Sequence, residues 1–461
     1  MSLSRRAPLL VVLLAASMAA SGCSTVNRFN PFDRDKSPKE AASEGERISI
    51  IAAAETVTPA EGLKGQDFFL PAPEAVTEWA LPGATPEQAP PHADAGGGLS
   101  VDWRRGFGKG SKGGKHVTAP PVAADNKIFV MDGEATVSAI DARSGSVVWR
   151  RDLRPDNKRD REAFGGGLAY AGGKLYVTSG YRFAAQLDAG SGAVGWRRPT
   201  EQPIHAAPTV AGGRVMAVAI DNTLLTFDAA TGEPGWTYQA LTEPARILAA
   251  SSPAVAGDTV VASFGSGELV ALRTANGNDL WNETLSRASR SNALSEIRDI
   301  PGRPVIYQGD VFAVSHSGVF AATDLRTGAP RWTLPISGIT TPWVAGDVVY
   351  VVSRAGEVLC IARDSGQVYW IHDLNEGRPA TKKRFFGLGP QKSVRPVWSS
   401  PLLASNRLLV ASSTGQLVAL NAKTGAVEKT VNLGGSTRLG PIAVNGTVYV
   451  ASDEAQLIAL R

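Results

Sequence analysis

The sequence is poor in the residues from which metal sites and disulfide frameworks are built. Its 461 residues include two cysteines, five histidines and four methionines. The histidines are scattered without metal-ligand spacing and without a cysteine nearby, which excludes the common zinc patterns. They are His92, His116, His205, His316 and His372. We therefore expect no metal site.

Nucleotide-binding and hydrolase motifs are missing as well. The stretch GKGSKG at 108–113 matches Gly-x-Gly-x-x-Gly, but the prolines of the following GKHVTAPPV preclude the helix that a dinucleotide site needs. The adjacent GGK continues with His116, where a phosphate-binding loop needs serine or threonine. No Gly-x-Ser-x-Gly occurs. We predict a flexible loop at 108–113, no catalytic residue and no cofactor.

An excess of charge of one sign is also lacking. The formal net charge of +4 is small for this length, so we expect no nucleic-acid partner. The 49 glycines, set against four methionines, favour turn-rich β structure over helices.

The N-terminus has the pattern of an export signal. Arg5 and Arg6 precede the apolar stretch APLLVVLLAASMAA (7–20), which is too short to span a membrane comfortably. The following ASGC resembles the lipobox of bacterial lipoproteins, although Ala20 stands where that motif usually has leucine. The resemblance implies a signal peptide at 1–22 and a lipid on Cys23, and Ser24 in place of aspartate implies the outer membrane. The alternative is an ordinary signal peptide in which Cys23 is incidental.

Residues 23–98 do not have the pattern of a folded domain. Residues 24–45 are polar, charged and without apolar periodicity, which predicts a flexible tether. Residues 58–98 are rich in proline and alanine and predict an extended strap rather than a packed element. With Cys23 lipidated, Cys360 has no disulfide partner, and its apolar setting EVLCIA predicts a buried small side chain.

From residue 99 onward one pattern of eleven residues recurs. AIDARSGSVVW (139–149) returns as QLDAGSGAVGW, TFDAATGEPGW, ALRTANGNDLW and ATDLRTGAPRW, which end at Trp196, Trp236, Trp281 and Trp332. The aspartate can close a turn by accepting backbone N–H bonds, and the glycine supplies positive φ. The tryptophan then lies on the next strand, where its ring can fill the gap between adjacent sheets.

The repeats predict an all-β protein, an eight-bladed β-propeller of four-stranded antiparallel blades over 99–461. Blades are expected to start near residues 118, 166, 206, 252, 304, 341, 399 and 440. The eighth repeat ends after its third strand, so LSVDWRRGFG with Trp103 should supply the fourth and close the ring. The seventh repeat has Lys429 where tryptophan is expected, which predicts one differently packed junction.

The repeat resembles the pyrroloquinoline-quinone (PQQ) type. Together with the lipobox and eight blades ending at the C-terminus, it makes the chain similar to the BamB family, the propeller lipoproteins of the outer-membrane β-barrel assembly (BAM) machinery. The resemblance implies a non-enzymatic scaffold at the periplasmic face of the outer membrane. Its implied partners are BamA, bound through its periplasmic POTRA domains, and other BAM components.

The resemblance also implies a docking surface on two loops between middle blades. The stretch PARILAASSP offers Arg246, Ile247 and Leu248, and LSEIRDIPGRP offers Glu296, Arg298 and Asp299. The alternative is that these are solvated loop residues without a partner.

Two rival functions remain open. A PQQ-dependent quinoprotein dehydrogenase would need an adjacent cysteine pair and a calcium site, and the sequence has neither adjacent cysteines nor a dense acidic cluster. A propeller lipoprotein that binds another envelope partner is the second. The basic stretch 375–396 is either a solvated loop or a contact for a partner or anionic lipid. It contains Lys382, Lys383, Arg384, Phe385, Phe386, Lys392 and Arg395.

Overall fold

The computed structural model describes residues 57–155, 164–242, 251–286, 297–378, 381–382, 392–393 and 395–461. The expected signal peptide, Cys23 and the tether at 24–45 lie outside these residues. Among the described residues, no helix has the length and apolar character needed to cross a membrane.

The described residues form eight four-stranded antiparallel sheets arranged as the blades of a propeller. Blade 8 takes its outer strand, β1 (Val101–Gly106), from the start of the ring. Blade 1 has β2 (Val122–Ala124), β3 (Lys127–Met131), β4 (Thr136–Asp141) and β5 (Val147–Asp152). Blade 2 has β6 (Gly166–Ala171), β7 (Lys174–Ser179), β8 (Phe183–Asp188) and β9 (Val194–Pro199). Blade 3 has β10 (Thr209–Ala211), β11 (Arg214–Val218), β12 (Thr223–Asp228) and β13 (Pro234–Gln239). Blade 4 has β14 (Ala254–Ala256), β15 (Thr259–Ser263), β16 (Glu268–Arg273) and β17 (Asp279–Thr284).

The second half of the ring follows the same order. Blade 5 has β18 (Val305–Tyr307), β19 (Asp310–Val314), β20 (Phe320–Asp324) and β21 (Pro330–Leu334). Blade 6 has β22 (Trp343–Ala345), β23 (Val348–Val352), β24 (Glu357–Ala362) and β25 (Val368–Asp373). A small ladder of β26 (Thr381–Lys382) and β27 (Lys392–Ser393) follows. Blade 7 has β28 (Leu402–Ala404), β29 (Arg407–Ala411), β30 (Gln416–Asn421) and β31 (Val427–Asn432). Blade 8 is completed by β32 (Ile442–Val444), β33 (Thr447–Ala451) and β34 (Gln456–Leu460).

Eight blades and the shared closing blade confirm the predicted fold. The order in blade 8 is β1-β34-β33-β32, with Trp103 opposite Ala459 in an antiparallel ladder. The two chain ends are also joined directly, because Ser100 N donates to Arg461 O at 2.7 Å and Arg461 N to Ser100 O at 3.0 Å. The pairing leaves β34 no free edge in the ring.

The recurring turn forms as predicted, and its glycine has a second role. Asp141 Oδ1 accepts from Arg143 N at 3.2 Å and from Ser144 N at 2.8 Å, while Gly145 has φ +68°. A Cβ on Gly145 would lie 2.7 Å from the ring of Trp103, which belongs to the preceding blade. Each turn glycine of this kind is therefore packed directly against the tryptophan ring of the preceding blade, a contact that we call the glycine floor. The same contact occurs at Gly192, Gly232, Gly277, Gly328, Gly366 and Gly425.

The tryptophan rings also bond across the blade junctions. Trp149 Nε1 donates to Ala189 O at 3.0 Å, and Trp281 Nε1 donates to Leu325 O at 2.7 Å. At the seventh junction Lys429 Nζ instead donates to Gly98 O at 2.6 Å. Blade 8 has two chain ends where other blades have the aspartate–glycine turn, so no glycine floor exists there for a tryptophan. This explains the exceptional lysine.

The expectation that residues 58–98 are not packed is wrong. We call residues 57–98 the strap. It contains little regular structure beyond a 3-10 turn at Glu61–Leu63, yet its Trp79 side chain is only 1% exposed. Leu81, Ala93 and Ala95 of the strap are buried in the same way. Proline and alanine here favour an extended path, and the inner strands of the ring bury it.

The strap is hydrogen-bonded to every blade, mostly through its backbone. The pairs are Trp79 with Ala123 (blade 1), Ala80 with Tyr170 (blade 2), Gln88 with Thr209 (blade 3), Pro86 with Val255 (blade 4), Glu87 with Ile306 (blade 5), Phe69 with Asp347 (blade 6), Ala93 with Leu403 (blade 7) and Val76 with Asn445 (blade 8). Most of these partners lie on the innermost strands, so the strap crosses the central channel and occupies the strand edges that would otherwise face it.

Cys360 is fully buried on β24, as predicted. Burial raises the pKa of its thiol well above the ordinary value, so it is an unreactive core residue.

Candidate functional site

The propeller has two distinct faces. On one, which we call the loop face, the outer strand of each blade connects to the inner strand of the next. The aspartate–glycine turns lie on the opposite face, which we call the turn face. The strap contacts the turn-face ends of inner strands, for example at Gly346 and Gly446. The loop face is therefore the side that the strap leaves open.

Both predicted docking loops are connections on the loop face. The first runs from β13 to β14, and the second from β17 to β18, so they follow consecutive blades. Arg246, Ile247, Leu248 and Glu296 lie outside the described residues. The strands that flank the two connections lie in blades 3, 4 and 5, which are neighbours in the ring.

The structure places Arg298 and Asp299 differently from one another. Arg298 is exposed, whereas Asp299 is only 2% exposed. The carbonyl of Asp299 accepts a hydrogen bond from His316 N at 2.9 Å, and Ile300 is buried between blades 4 and 5. Segment 298–300 is thus fixed to the ring, with Arg298 facing solvent. Asp299 is not the surface charge that the sequence suggested.

A histidine that the sequence analysis did not assign supports this segment. His316 Nδ1 lies 3.4 Å from Ile297 O, and Arg354 Nη1 lies 2.9 Å from His316 Nε2. Burial and the Arg354 guanidinium lower the pKa of His316, which favours the neutral ring that can accept from Arg354. His316 therefore joins blade 6 to the second docking connection. A lone histidine in a turn gave no signal of this role.

At the centre of the loop face is a cavity of about 180 Å³, which we call the cup. Its walls are residues that directly precede inner strands, including Ser252, Thr341 and Ser400. Trp79 and Gln88 of the strap line it as well. Gln88 is held by its Nε2, which donates to Thr209 Oγ1 at 3.2 Å and to Pro253 O at 3.3 Å. The strap thus converts an open channel into a closed-bottomed pocket.

The cup is lined by cationic groups and no described acidic side chain. Arg303 and Arg438 both line it, and Arg438 is paired with Asp453. Arg303 has no such partner among the described residues, and burial lowers the pKa of its guanidinium to about 10. Its backbone N donates to Thr341 Oγ1 at 3.1 Å. The arrangement can accept a negative charge.

The other predicted features of the surface are placed as follows. The 108–113 loop is held to the ring, because Lys109 N donates to an Asp132 carboxylate oxygen at 2.7 Å and Ser111 N donates to Asp453 O at 2.6 Å. No helix follows it before β2.

In the basic connection Arg395 is exposed, Lys382 pairs with Lys392 in the β26–β27 ladder, and residues 383–391 lie outside the described residues. Across the described residues, no group of three or more histidine, cysteine or acidic side chains could hold a metal ion.

Comparisons with known proteins agree with the repeat pattern. The family described as "Outer membrane protein assembly factor BamB" matches residues 99–160, 133–372 and 382–461. The outer membrane protein assembly factor BamB of Burkholderia pseudomallei (strain K96243) is 26% identical over 339 residues, which cover 68% of this chain and 85% of that protein.

Two solved structures share the fold. BamB from Moraxella catarrhalis aligns with a TM-score of 0.66 and 19% identity, covering 79% of this chain and 99% of its own. The quinohemoprotein alcohol dehydrogenase from Comamonas testosteroni aligns with a TM-score of 0.64 and 15% identity, covering 83% of this chain and 80% of its own. Likeness at such identity is one of fold alone. The family match, however, extends over nearly the whole ring, and the chain belongs to the family of outer membrane protein assembly factor BamB.

Proposed function

We propose that this protein is a non-enzymatic scaffold of the BAM complex that assists the insertion of β-barrel proteins into the outer membrane. It is anchored at the periplasmic face by a lipid on Cys23 and binds the POTRA domains of BamA. The family match over the ring carries this proposal. The loop face supports it, because the two connections that the family uses for docking follow neighbouring blades there.

Two described residues of the proposed docking surface, Arg298 and Asp299, have different roles. Arg298 is exposed and lies on a segment fixed by Ile300 and by the Asp299 carbonyl. A pre-ordered charged side chain binds a partner with less loss of conformational entropy than one on a free loop. We propose Arg246, Ile247, Leu248, Glu296 and Arg298 as the contact residues. Asp299 then acts by positioning the segment.

The test is co-purification of BamA from detergent-solubilised membranes. A Leu248→Ala, Arg298→Ala variant should retain its melting temperature and lose most of the recovered BamA, since truncated anchors at an interface centre cost about 2 kcal/mol or more. Arg326→Ala is the matched control, because Arg326 is exposed on a turn of the opposite face. Lys383→Glu, Arg384→Glu tests the basic connection and should matter far less. Loss of BamA from the basic variant, with retention in the loop variant, would place the docking surface elsewhere.

The anchor is tested separately. Cys23→Ser removes the thiol that accepts the lipid, so the protein should leave the outer-membrane fraction. A Cys23→Ser protein that stays with outer membranes at mature size contradicts lipid anchoring.

The quinoprotein alternative has the fold of its structural neighbour but lacks supporting chemistry in this chain. The sequence has no adjacent cysteines. The cup of about 180 Å³ is also smaller than the roughly 300–1,000 Å³ typical of sites for drug-sized ligands and cofactors.

A further inference from the structure

We propose that the cup is a binding site for one small oxyanion, a phosphate or a carboxylate, held by the guanidinium of Arg303. This inference does not depend on the BAM-complex function. It rests on the surroundings of Arg303, on the composition of the cup and on its size.

The first observation is that Arg303 is a partly buried cation without a counter-ion among the described residues. Its Nε has no solvent-accessible surface and no hydrogen-bond acceptor among the described residues. No described carboxylate pairs with its guanidinium. Among the described residues, the hydrogen bond of Arg303 is made by its backbone N, which donates to Thr341 Oγ1. The residue lines the cup. Burying part of an unpaired charge is unfavourable, and folded proteins normally satisfy such a group with an ion, water or ligand.

The second observation is that the backbone around Arg303 is built to hold it there. A Cβ on Gly302 would lie 2.3 Å from Thr340 O, so only glycine permits this close approach between the connections that enter blades 5 and 6. The bond from Arg303 N to Thr341 Oγ1 fixes the same approach at the next residue. These contacts hold the backbone of Arg303 at the cup, which its side chain lines.

The third observation is the chemistry of the other lining groups. None of the described residues that line the cup is aspartate or glutamate. Arg438 is neutralised by Asp453, which leaves the charge of Arg303 uncompensated. Trp343 also lines the cup, and its Nε1 is a buried donor without an acceptor among the described residues. A guanidinium that lines the cup suits an oxyanion, which accepts several hydrogen bonds and supplies the missing negative charge.

The size of the cup sets the size of the ligand. A cavity of about 180 Å³ is large enough to hold several waters. A phosphate ion or a small carboxylate with a few waters fits this space. The strap lies across the channel beneath the cup, so the ligand enters from the loop face.

The experiment measures anion binding to the full-length protein in detergent. The protein is dialysed into Tris chloride, and sodium phosphate or sodium acetate is added against sodium chloride of equal ionic strength. Binding to the folded state alone raises Tm in a saturable manner. We expect such a rise with phosphate or acetate, confirmed by calorimetric titration, and none with chloride. The anion that raises Tm, phosphate or acetate, identifies the class of oxyanion that binds.

Variants assign the site. Arg303→Gln should weaken the binding by roughly 10- to 100-fold, as expected for loss of a hydrogen bond to a charged group. The Tm of Arg303→Gln in chloride should not fall greatly, because the substitution also removes an unpaired positive charge from the folded protein. Arg303→Lys keeps the charge but loses the planar fork and should bind with intermediate affinity, so it provides a second test if Arg303→Gln folds poorly. Arg326→Gln, an exposed arginine of the same blade, is the control and should bind normally. The proposal is overturned if neither oxyanion binds, or if binding is the same in the Arg303 variants as in the control.

Discussion

The contact between a turn glycine and its neighbour's tryptophan can be tested with two glycines that differ in one respect. Gly232 and Gly172 both have positive φ, at +73° and +55°. A Cβ on Gly232 would lie 2.5 Å from the ring of Trp196, which is only 8% exposed, whereas a Cβ on Gly172 would have no atom within 4 Å. Alanine therefore introduces the same backbone strain at both positions, but introduces an overlap only at Gly232.

The magnitudes follow from these two terms. Forcing alanine into the left-handed region costs about 1–2 kcal/mol. Overpacking a filled site typically costs a further ~1–3 kcal/mol. We therefore expect Gly172→Ala to lower the free energy of unfolding by about 1–2 kcal/mol, and Gly232→Ala by about 2–5 kcal/mol.

Urea unfolding of both variants measures the difference, with equal m-values showing that the same unfolding transition is followed. A double-mutant cycle then isolates the overlap. In a Trp196→Ala background the ring is absent, so Gly232→Ala should cost only the backbone term. Equal losses for the two glycines in the wild-type background, or an undiminished loss for Gly232→Ala without the ring, would refute the glycine floor.

Two further predictions concern the strap and the closing blade. His92 Nδ1 lies 2.6 Å from Pro71 O and can only donate to it, while Nε2 accepts from Asn406 N at 2.9 Å. The strap is therefore attached to blade 7 by a neutral imidazole ring, and burial lowers the pKa of that ring. The attachment should be complete above the unfolded pKa of about 6.5 and weaken as the pH falls below it, and Tm measured from pH 8 to pH 5 should fall less steeply in His92→Gln than in the wild type. Trp103→Ala should lower Tm almost as much as Trp236→Ala, because both rings are half-buried. The effect at Trp103 should be slightly smaller, because Trp236 Nε1 donates to Thr274 O at 3.0 Å whereas Trp103 Nε1 has no acceptor among the described residues. An unchanged melt for Trp103→Ala would contradict a closing role for β1.

The ring could be predicted from the sequence because its determinants are local. Asp141, Gly145 and Trp149 lie within one short segment, and each has a role that residue type and spacing reveal. Even the exception at Lys429 was visible as a departure from the pattern. Only the reason for it, the missing turn in blade 8, needed the three-dimensional arrangement.

The cup and the packing of the strap could not be predicted in this way. The strap binds mostly through backbone atoms to residues of all eight blades, and backbone bonding leaves no periodic signal in side chains. Arg303 appears in the sequence as one basic residue of a polar loop. Its burial depends on the approach of blade 6 at Thr340 and Thr341, which are distant along the chain. Asp299 shows the same limit, because its charge suggested a surface position that the packing of Ile300 rules out.

The hydrogen bonding of the strap to all eight blades has a consequence for the order of folding. The strap and β1 are synthesised before any blade is complete, yet their partners extend to the last residues; Ser100 and Arg461, for example, are 361 positions apart. Contacts of such long range form slowly, since the loss of chain entropy precedes any gain from contact. The strand β1 must therefore wait for its partner until the eighth blade exists, and only then does the strap have partners in every blade. We expect the protein to reach its native state late and in one concerted step, with its exposed strand edges at risk of aggregation until then.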